Sequence, residues 1–556
     1  MDELPYRSQI FYLVFVALAI FPLLLYVRQP LLHDEMTYLV IGREIASGGT
    51  LYAGIADHKA PGIYLLAAWL WSTVPEPYLS ARILVYLANA VTAALLFKLG
   101  GHFRDNIGRV ASLLFLLGVY SPVFDGYILM TEPFATMLVT GATLLLFEER
   151  KRTDIGAGLL LGFAVLFNQT VLLFGLVIVF WSVARIVSAT DETGLYRVLS
   201  RYVPIGTGFI IPLGLTGLYA FSQGALSDMI FYTIYLPANY YDAPYFLQGQ
   251  LRSAASFLPV WLLAIGTTLY IGRTVLSRRA FEHRLVYLCF WFGVLSIPGL
   301  ISFHGGHRYI FIMPAAVLLA ATGLSWIADF VDTSPSGLSH RQWMALVIVS
   351  VVSVAIFVGA AGFDSEYVLL VAFGLVGIFI GTAVVTYASV LSLGRRFRLT
   401  NQQLTALVAA LFVVFTVVGG AAGVNGRYLL LLSDDDIETQ AENAEQLGTQ
   451  IDGRFYMLGP PTRYELAYFE DARPAQTFIT APYGEPLADR VIRTLEQDQV
   501  EYVLVERQQV TSGRIDPDHT YYAGPRKTVI NYIEANYEPT ATTDDFVIYS
   551  RTATGE

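Results

Sequence analysis

Apolar stretches of 18 or more residues recur from Ile10 to about Gly423, and this pattern constrains the chain more than any other feature. About 20 apolar residues in a helix cross the ~30 Å hydrocarbon core of a bilayer. Lipid offers no hydrogen bonds, so each run must satisfy its own backbone and is expected to be helical. The spans read as 10–27, 79–99, 107–124, 131–148, 155–168, 169–187, 202–221, 254–273, 285–303, 309–330, 342–361, 367–391 and 403–423. That predicts an all-α polytopic membrane protein of about 13 transmembrane helices. The first run, Ile10–Val27, is too long for a cleavable signal core and lacks a small-residue cleavage site, so it reads as a retained anchor.

Composition agrees and adds a second domain. The chain of 556 residues is 55% hydrophobic and only 14% charged, against about 25% charged in soluble proteins. Its formal net charge of −10 is unevenly spread. Residues 434–556 hold 23 Asp/Glu and 10 Lys/Arg, a net of −13, which leaves +3 for residues 1–433. The acidity thus belongs to a soluble C-terminal domain, residues 434–556, following a mildly basic membrane domain, residues 1–433. Cys289 is the one cysteine, so no intrachain disulfide forms and the outer domain must hold by packing.

Basic residues mark cytoplasmic loops. They fall at Arg7; at Lys98, Arg104 and Arg109; at Arg150–Arg152; and at Arg185, Arg197 and Arg201. Arg273, Arg278, Arg279 and Arg284 follow, then Arg341, then Arg395, Arg396 and Arg398. Every second loop is basic. The N-terminus is therefore expected in the cytoplasm and the C-terminal domain outside, after an odd number of crossings. Residues 61–75 fit this alternation only as an interfacial or re-entrant helix, with Trp69 and Trp71 at headgroup level. The apolar run 155–187 is broken at Asn168-Gln169 and reads as a short hairpin turning inside a protein-lined cavity.

With that sidedness, the unusual polar residues gather outside. The first outer loop, 28–60, carries His33-Asp34-Glu35 and Asp57-His58-Lys59. Between them Met36, Tyr38, Leu39, Ile41, Ile45 and Ala46 repeat at helical spacing, and Gly48-Gly49 ends the pattern. Arg82 lies near the outer end of the next span, and Thr131-Glu132-Pro133-Phe134 opens another. The long outer loop 222–253 is rich in aromatics, and 304–308 reads His-Gly-Gly-His-Arg before Tyr309. Each feature alone has a bland reading. Asp34-Glu35 reads as a solvated loop, Lys59 as a snorkelling lysine, and Glu132 as an acidic helix start with Pro133 in the first turn. His304 and His307 lack an adjacent third ligand, so no metal is assigned. Together on one face they suit an anionic lipid substrate. A carboxylate can take the proton of an attacking hydroxyl. Cations can hold a phosphate leaving group.

These positions resemble the GT-C glycosyltransferases, in particular the protein O-mannosyltransferase and lipid A aminoarabinose transferase-like group (glycosyltransferase families 39 and 83). The matching elements are Asp34-Glu35 with Tyr38, Lys59-Ala60-Pro61 with Tyr64 and Trp69, Arg82, Glu132-Pro133-Phe134, and Tyr309 with Pro314. They span roughly residues 10–330. Two departures stand out: Asn168-Gln169 occupies a hairpin where the family usually carries a lysine, and Glu132 replaces the commoner aspartate.

The resemblance implies an inverting hexosyltransferase using a polyprenyl-phosphate or dolichyl-phosphate sugar as donor substrate, dolichyl-phosphate mannose for an archaeal source. No other cofactor is implied. Asp34 would be the base, with Glu35 or Glu132 orienting it. Lys59 and Arg308 would hold the donor phosphate, aided by Arg82, His307 and Tyr309. The expected partners are the membrane, the lipid-linked sugar and an acceptor protein, glycan or glycolipid, with no nucleic acid. Two rivals stand beside it: a lipid-linked sugar flippase, which needs polar residues along the midplane, and a metal-dependent oligosaccharyltransferase relative. The C-terminal domain shows no catalytic motif. Strand patterns at 453–459, 475–480, 500–507 and 545–550 alternate with helical ones at 436–450, 485–498 and 525–537, which predicts an α/β domain with a largely parallel sheet.

The charge alternation makes a direct prediction. After Cys289→Ser, a cysteine placed on the surface of the C-terminal domain near residue 500 is expected to react with an impermeant thiol reagent in intact cells. Labelling there only after lysis would overturn the assigned topology.

Overall fold

The computed structural model describes residues 5–26, 29–31, 33–55, 57–121, 124–188, 196, 198–240, 257–277, 282–301 and 306–333. In the C-terminal part it describes 437–458, 465–470, 474–475, 485–497, 500–511, 514–515, 526–543 and 546–552. The first part is a helical array: α1 (Pro5–Tyr26), α2 (His33–Ala46), α3 (Gly62–Thr73), α4 (Pro77–Gly101), α5 (Asp105–Val119), α6 (Thr131–Phe147) and α7 (Lys151–Phe167). It continues with α8 (Phe174–Ser188), α9 (Tyr202–Ser222), α10 (Leu226–Ile230), α11 (Leu236–Tyr240), α12 (Leu258–Leu276), α13 (His283–Ile301) and α14 (Met313–Thr333).

The ten expected spans before residue 334 all fall on these helices, within a few residues. The other three, 342–361, 367–391 and 403–423, lie outside the described residues. Among the described residues four segments are long and apolar enough to cross a membrane by length and composition: α4, Gln169–Val187, α9 and α12. Helices such as α5, at 15 residues, and α6 and α7, at 17, fall short of about 20. The expected count of thirteen crossings is therefore not reached among the described residues.

Helix α3 is 12 residues long. At ~1.5 Å per residue it extends about 18 Å, too short to cross a bilayer, in keeping with the interfacial or re-entrant reading. Its seat depends on two glycines. A Cβ on Gly42 would sit 2.5 Å from that of Ala67, and one on Gly62 would sit 2.6 Å from the carbonyl oxygen of Leu166. These close approaches let α3 lie against both α2 and the end of α7. The break at Asn168 is also present: α7 ends there, and a 3-10 turn, Gln169–Leu173, leads into α8.

The C-terminal part carries α15 (Ile437–Gly448), β1 (Phe455–Leu458), α16 (Glu465–Phe469), α17 (Glu485–Gln497), β2 (Tyr502–Glu506), β3 (Val510–Thr511), β4 (Arg514–Ile515), α18 (Arg526–Asn536), β5 (Tyr537–Thr542) and β6 (Phe546–Arg551). The main sheet has the order β1-β2-β6-β5. Among the described residues β1 and β2 pair in parallel, with a further parallel bridge between Phe455 and Pro474, while β2–β6 and β6–β5 are antiparallel; most of the expected strand 475–480 lies outside the described residues. The expectation of a largely parallel sheet is corrected by β5, which sequence patterning missed. Tyr537–Thr542 contains Pro539, which argues against an interior strand and is tolerated here at the sheet edge, beside a register shift. Both faces of the sheet are covered. Phe455, Met457, Leu504, Phe546 and Ile548 join the core shared with the helical array, while Tyr456, Leu458, Val503, Val505, Val547 and Tyr549 pack with residues of α17 and α18.

One buried ion pair fixes where α2 lies. Glu35 and Arg82 are both fully buried. Arg82 Nη2 donates to Glu35 Oε2 at 2.9 Å and to the carbonyl of Pro30 at 3.0 Å. Glu35 Oε1 accepts from the backbone N–H of Leu129 at 3.1 Å. Four segments thus meet at one pair. Glu35→Gln leaves a buried guanidinium uncompensated and is expected to cost about 3–5 kcal/mol. A joint Glu35→Met, Arg82→Met change leaves no lone charge and is expected to cost less. Thermal unfolding of the purified protein ranks the two; a milder single variant refutes this account.

Candidate active site

Asp34 and Tyr38 are one helical turn apart on α2, so their side chains meet. The Tyr38 hydroxyl donates to Asp34 Oδ2 at 3.1 Å. The ammonium of Lys59 lies 3.8 Å from the same oxygen. The Asp34 side chain keeps 31% of its surface exposed and Lys59 15%, so a reactant can reach the carboxylate. A proton acceptor and a cation therefore sit side by side where the first turn of α2 meets the end of the α2–α3 segment.

The loop that delivers Lys59 is tightly built. Tyr52 has φ +71°, unusual for a bulky residue. Its hydroxyl donates to the carbonyl of Lys59 at 2.8 Å, and its N–H to the carbonyl of Ile55 at 2.6 Å. Asp57 anchors the next turn. Its carboxylate contacts His58 Nδ1 at 2.7 Å, accepts from the His58 N–H at 2.7 Å, and accepts a short bond from the Tyr64 hydroxyl.

The second element is the start of α6. Glu132 is almost fully buried. It accepts from Thr131 Oγ1 at 3.0 Å and from Asn168 Nδ2 at 3.1 Å. His307 Nε2 is 3.9 Å from Glu132 Oε1. Gln169 Nε2 donates to the carbonyls of His58 at 2.9 Å and Thr233 at 3.3 Å. The helix break thus supplies Asn168 to Glu132 and Gln169 to the Lys59 loop.

Of the residues singled out from sequence, Asp34, Lys59, Glu132 and His307 are brought into one electrostatic neighbourhood, with Arg308 beside it. Glu35 and Arg82 are placed elsewhere, in their closed pair. Tyr309 packs its ring near Phe124 and Trp261 and is 6% exposed. His304 lies outside the described residues. Sequence reasoning gave no role to Asp57, Tyr52 or Tyr64. The signal for Asp57 was present, since Asp57-His58 directly precedes Lys59, but its link to Tyr64 crosses into α3. Among the described residues no group of three or more His, Cys, Asp or Glu side chains is placed to hold a metal ion.

Burial alone pushes the Asp34 carboxyl up, but Lys59, His307 and His58 outweigh it and hold it below its ordinary value. Asp34 is thus ionised at neutral pH. Its contribution as an anion is present above the ordinary carboxylate range and is lost only as pH falls through the lowered value. Asp57 is likewise held well down: burial opposes this, and the charge and hydrogen bond of His58, the Tyr64 hydroxyl and Lys59 prevail. Burial and the neighbouring carboxylates raise Tyr38 and Tyr64, so both phenols stay protonated donors. Burial lowers His307, reinforced by Arg308 and Lys59 and opposed by Glu132 and Asp34. It is therefore neutral at pH 7 and gains charge only below its ordinary value of 6.5.

That direction is testable with a prenyl phosphodiester, whose single charge is constant across the range. Its affinity is expected to rise as pH falls below the ordinary histidine range. His307→Gln is expected to remove the rise while leaving affinity at neutral pH unchanged. A rise that survives the substitution assigns the titration to another group.

No protein-family model matches the sequence, and no curated protein sequence matches it either. Solved structures do match. ArnT from Cupriavidus metallidurans bound to undecaprenyl phosphate aligns over 99% of this chain and 98% of its own, at 14% identity and a TM-score of 0.56. The apo state of the same protein gives 98% and 98%, 14% identity and 0.57. The Archaeoglobus fulgidus oligosaccharyltransferase, tethered to an acceptor peptide with an NVT sequon, aligns over 99% of this chain and 74% of its own, at 11% identity and 0.52. The described helices, the broken hairpin and the C-terminal sheet thus form a chain with the fold of the GT-C glycosyltransferases.

Proposed function

We propose that this protein is a membrane glycosyltransferase that moves a hexose, mannose in the archaeal case, from a polyprenyl-phosphate or dolichyl-phosphate carrier to an acceptor on the outer face. The observation that carries this reading is the Asp34–Lys59 contact of 3.8 Å, a reachable carboxylate beside a cation in a largely buried polar cluster. The neighbouring fold whose solved structure holds undecaprenyl phosphate supports a lipid-phosphate donor. Beside the Lys59 loop lies a small apolar crevice of about 20 Å³, lined by Leu51, Tyr52, Pro61 and Leu65 and by Tyr219 and Ala220 at the end of α9.

The chemistry follows from the placement. The acceptor hydroxyl gives its proton to the Asp34 carboxylate as its oxygen attacks the anomeric carbon. The carbon–oxygen bond to phosphate breaks on the opposite side, so the configuration inverts. The lipid phosphate leaves with added negative charge, which Lys59 and Arg308 stabilise. In the resting site Lys59 partly neutralises Asp34. A bound phosphodiester competes for the ammonium, frees the carboxylate and raises its basicity. Glu132, held by Thr131 and Asn168, keeps His307 in place. Glu35 and Arg82 act at one remove, by fixing the α2 turn that carries Asp34.

Base and phosphate holder are separable by measurement. Asp34→Asn keeps shape and removes the proton acceptor, so the chemical step is expected to fall by about 10²–10⁴-fold with donor binding nearly intact. Lys59→Ala is expected to weaken binding of a non-transferable lipid-phosphate sugar and also to slow transfer. The inverse pattern would mean the two roles are wrongly assigned. Full transfer by both variants would remove the active site from this cluster. Radiolabelled donor, counted separately in protein, glycan and glycolipid fractions, identifies the acceptor.

A further inference from the structure

The C-terminal domain reaches the membrane part at a point that bears on Lys59. Arg490, on α17, places its guanidinium 4.0 Å from the ring centroid of Phe231 and 5.1 Å from that of Tyr232. The same guanidinium lies 3.4 Å from Asp228 Oδ1. Asp228 belongs to α10, and Phe231–Tyr235 forms one π-helical turn. Such turns are rare and are frequent at functional sites.

That turn in its turn braces the Lys59 loop, twice. The Tyr232 ring stacks on Tyr52, with centroids 6.4 Å apart and planes 20° apart. Tyr52 holds the Lys59 carbonyl at 2.8 Å from a left-handed backbone conformation, which persists only where the surroundings enforce it. Independently, Gln169 bridges the carbonyls of Thr233 and His58. A continuous set of contacts thus runs from Arg490 through Phe231 and Tyr232 to Tyr52 and Lys59.

We propose that Arg490 is a positioning residue: by clasping residues 228–235 it makes the C-terminal domain set the placement of Lys59. The proposal rests on the transferase reading, in which Lys59 holds the donor phosphate. It gives the C-terminal domain a part in donor binding that its sequence, free of catalytic motifs, did not suggest.

The test uses the full chain in detergent or nanodiscs and a non-transferable polyprenyl-phosphate sugar as probe. Arg490→Ala is expected to weaken probe binding by about three- to tenfold, the scale of one partly desolvated cation–π contact. Arg490→Lys, which keeps a cation over the rings, is expected to restore most of it. Asp228→Asn breaks the clasp from the other side without touching the C-terminal domain and is expected to weaken binding in the same direction. Tyr52→Phe deletes the bond to the Lys59 carbonyl. Combined with Arg490→Ala, it is expected to cost little more than the larger single loss, since both act through one connection. Losses that multiply, or unaltered probe binding by Arg490→Ala, overturn the proposal. If Lys59→Ala itself binds the probe normally, the assignment of Lys59 as donor-phosphate holder fails and the proposal with it. If Lys59→Ala binds weakly and Arg490→Ala normally, the relay alone fails.

Discussion

The Glu35–Arg82 pair is the constraint on which the rest of the site depends. Two charges taken out of water cost several kcal/mol each, and only close mutual contact with further hydrogen bonds offsets that. Here the pair is completed by the Pro30 carbonyl and the Leu129 N–H. The arrangement therefore tolerates little movement of α2, α4, the segment before α2 or the segment before α6. Asp34 is the residue before Glu35, about 100° around the helix. With Glu35 pinned inward, the Asp34 side chain is left partly exposed beside Lys59. A second network, Thr131–Glu132–Asn168, fixes the facing wall in the same way.

Much of the arrangement was legible in the sequence because it is written in local patterns. Apolar runs locate the helices before residue 334 to within a few residues. The Gly48-Gly49 stop is real: α2 ends at Ala46, and Gly48 takes φ +99°. The break at Asn168-Gln169 was visible as two amides inside an apolar run. The gathering of Asp34, Lys59, Glu132 and His307 followed from assigning all of them to one side.

What sequence did not show is what depends on partners far along the chain. Glu35 and Arg82 looked like site groups because both are charged and near the same surface; that they consume each other is a contact across 47 positions. Asp57 had no evident role until Tyr64 on α3 met it. The edge strand Tyr537–Thr542 was hidden by Pro539, and its discovery changes the sheet from mainly parallel to mixed. The aromatic residues of 222–253 were seen as a composition, whereas the useful fact is which of them stacks on Tyr52. In each case a local rule gave the residue type and a long-range contact decided its task.

The contact between Leu31 and Gln440 has a consequence for how the protein is made. Gln440 on α15 accepts from the Leu31 N–H at 2.9 Å and donates to the Leu31 carbonyl at 3.1 Å, joining points 409 residues apart. Nearby, Tyr468 packs edge-on against Trp71, whose indole N–H is bonded to the Leu39 carbonyl of α2. Ribosomes add about 5–20 residues per second, so the segment bearing Asp34 waits tens of seconds for these partners. During that interval the segment around Leu31 still lacks its last supports. A chain truncated before residue 440 would therefore carry Asp34 and Lys59 without the Gln440 contact that seats the segment leading into α2.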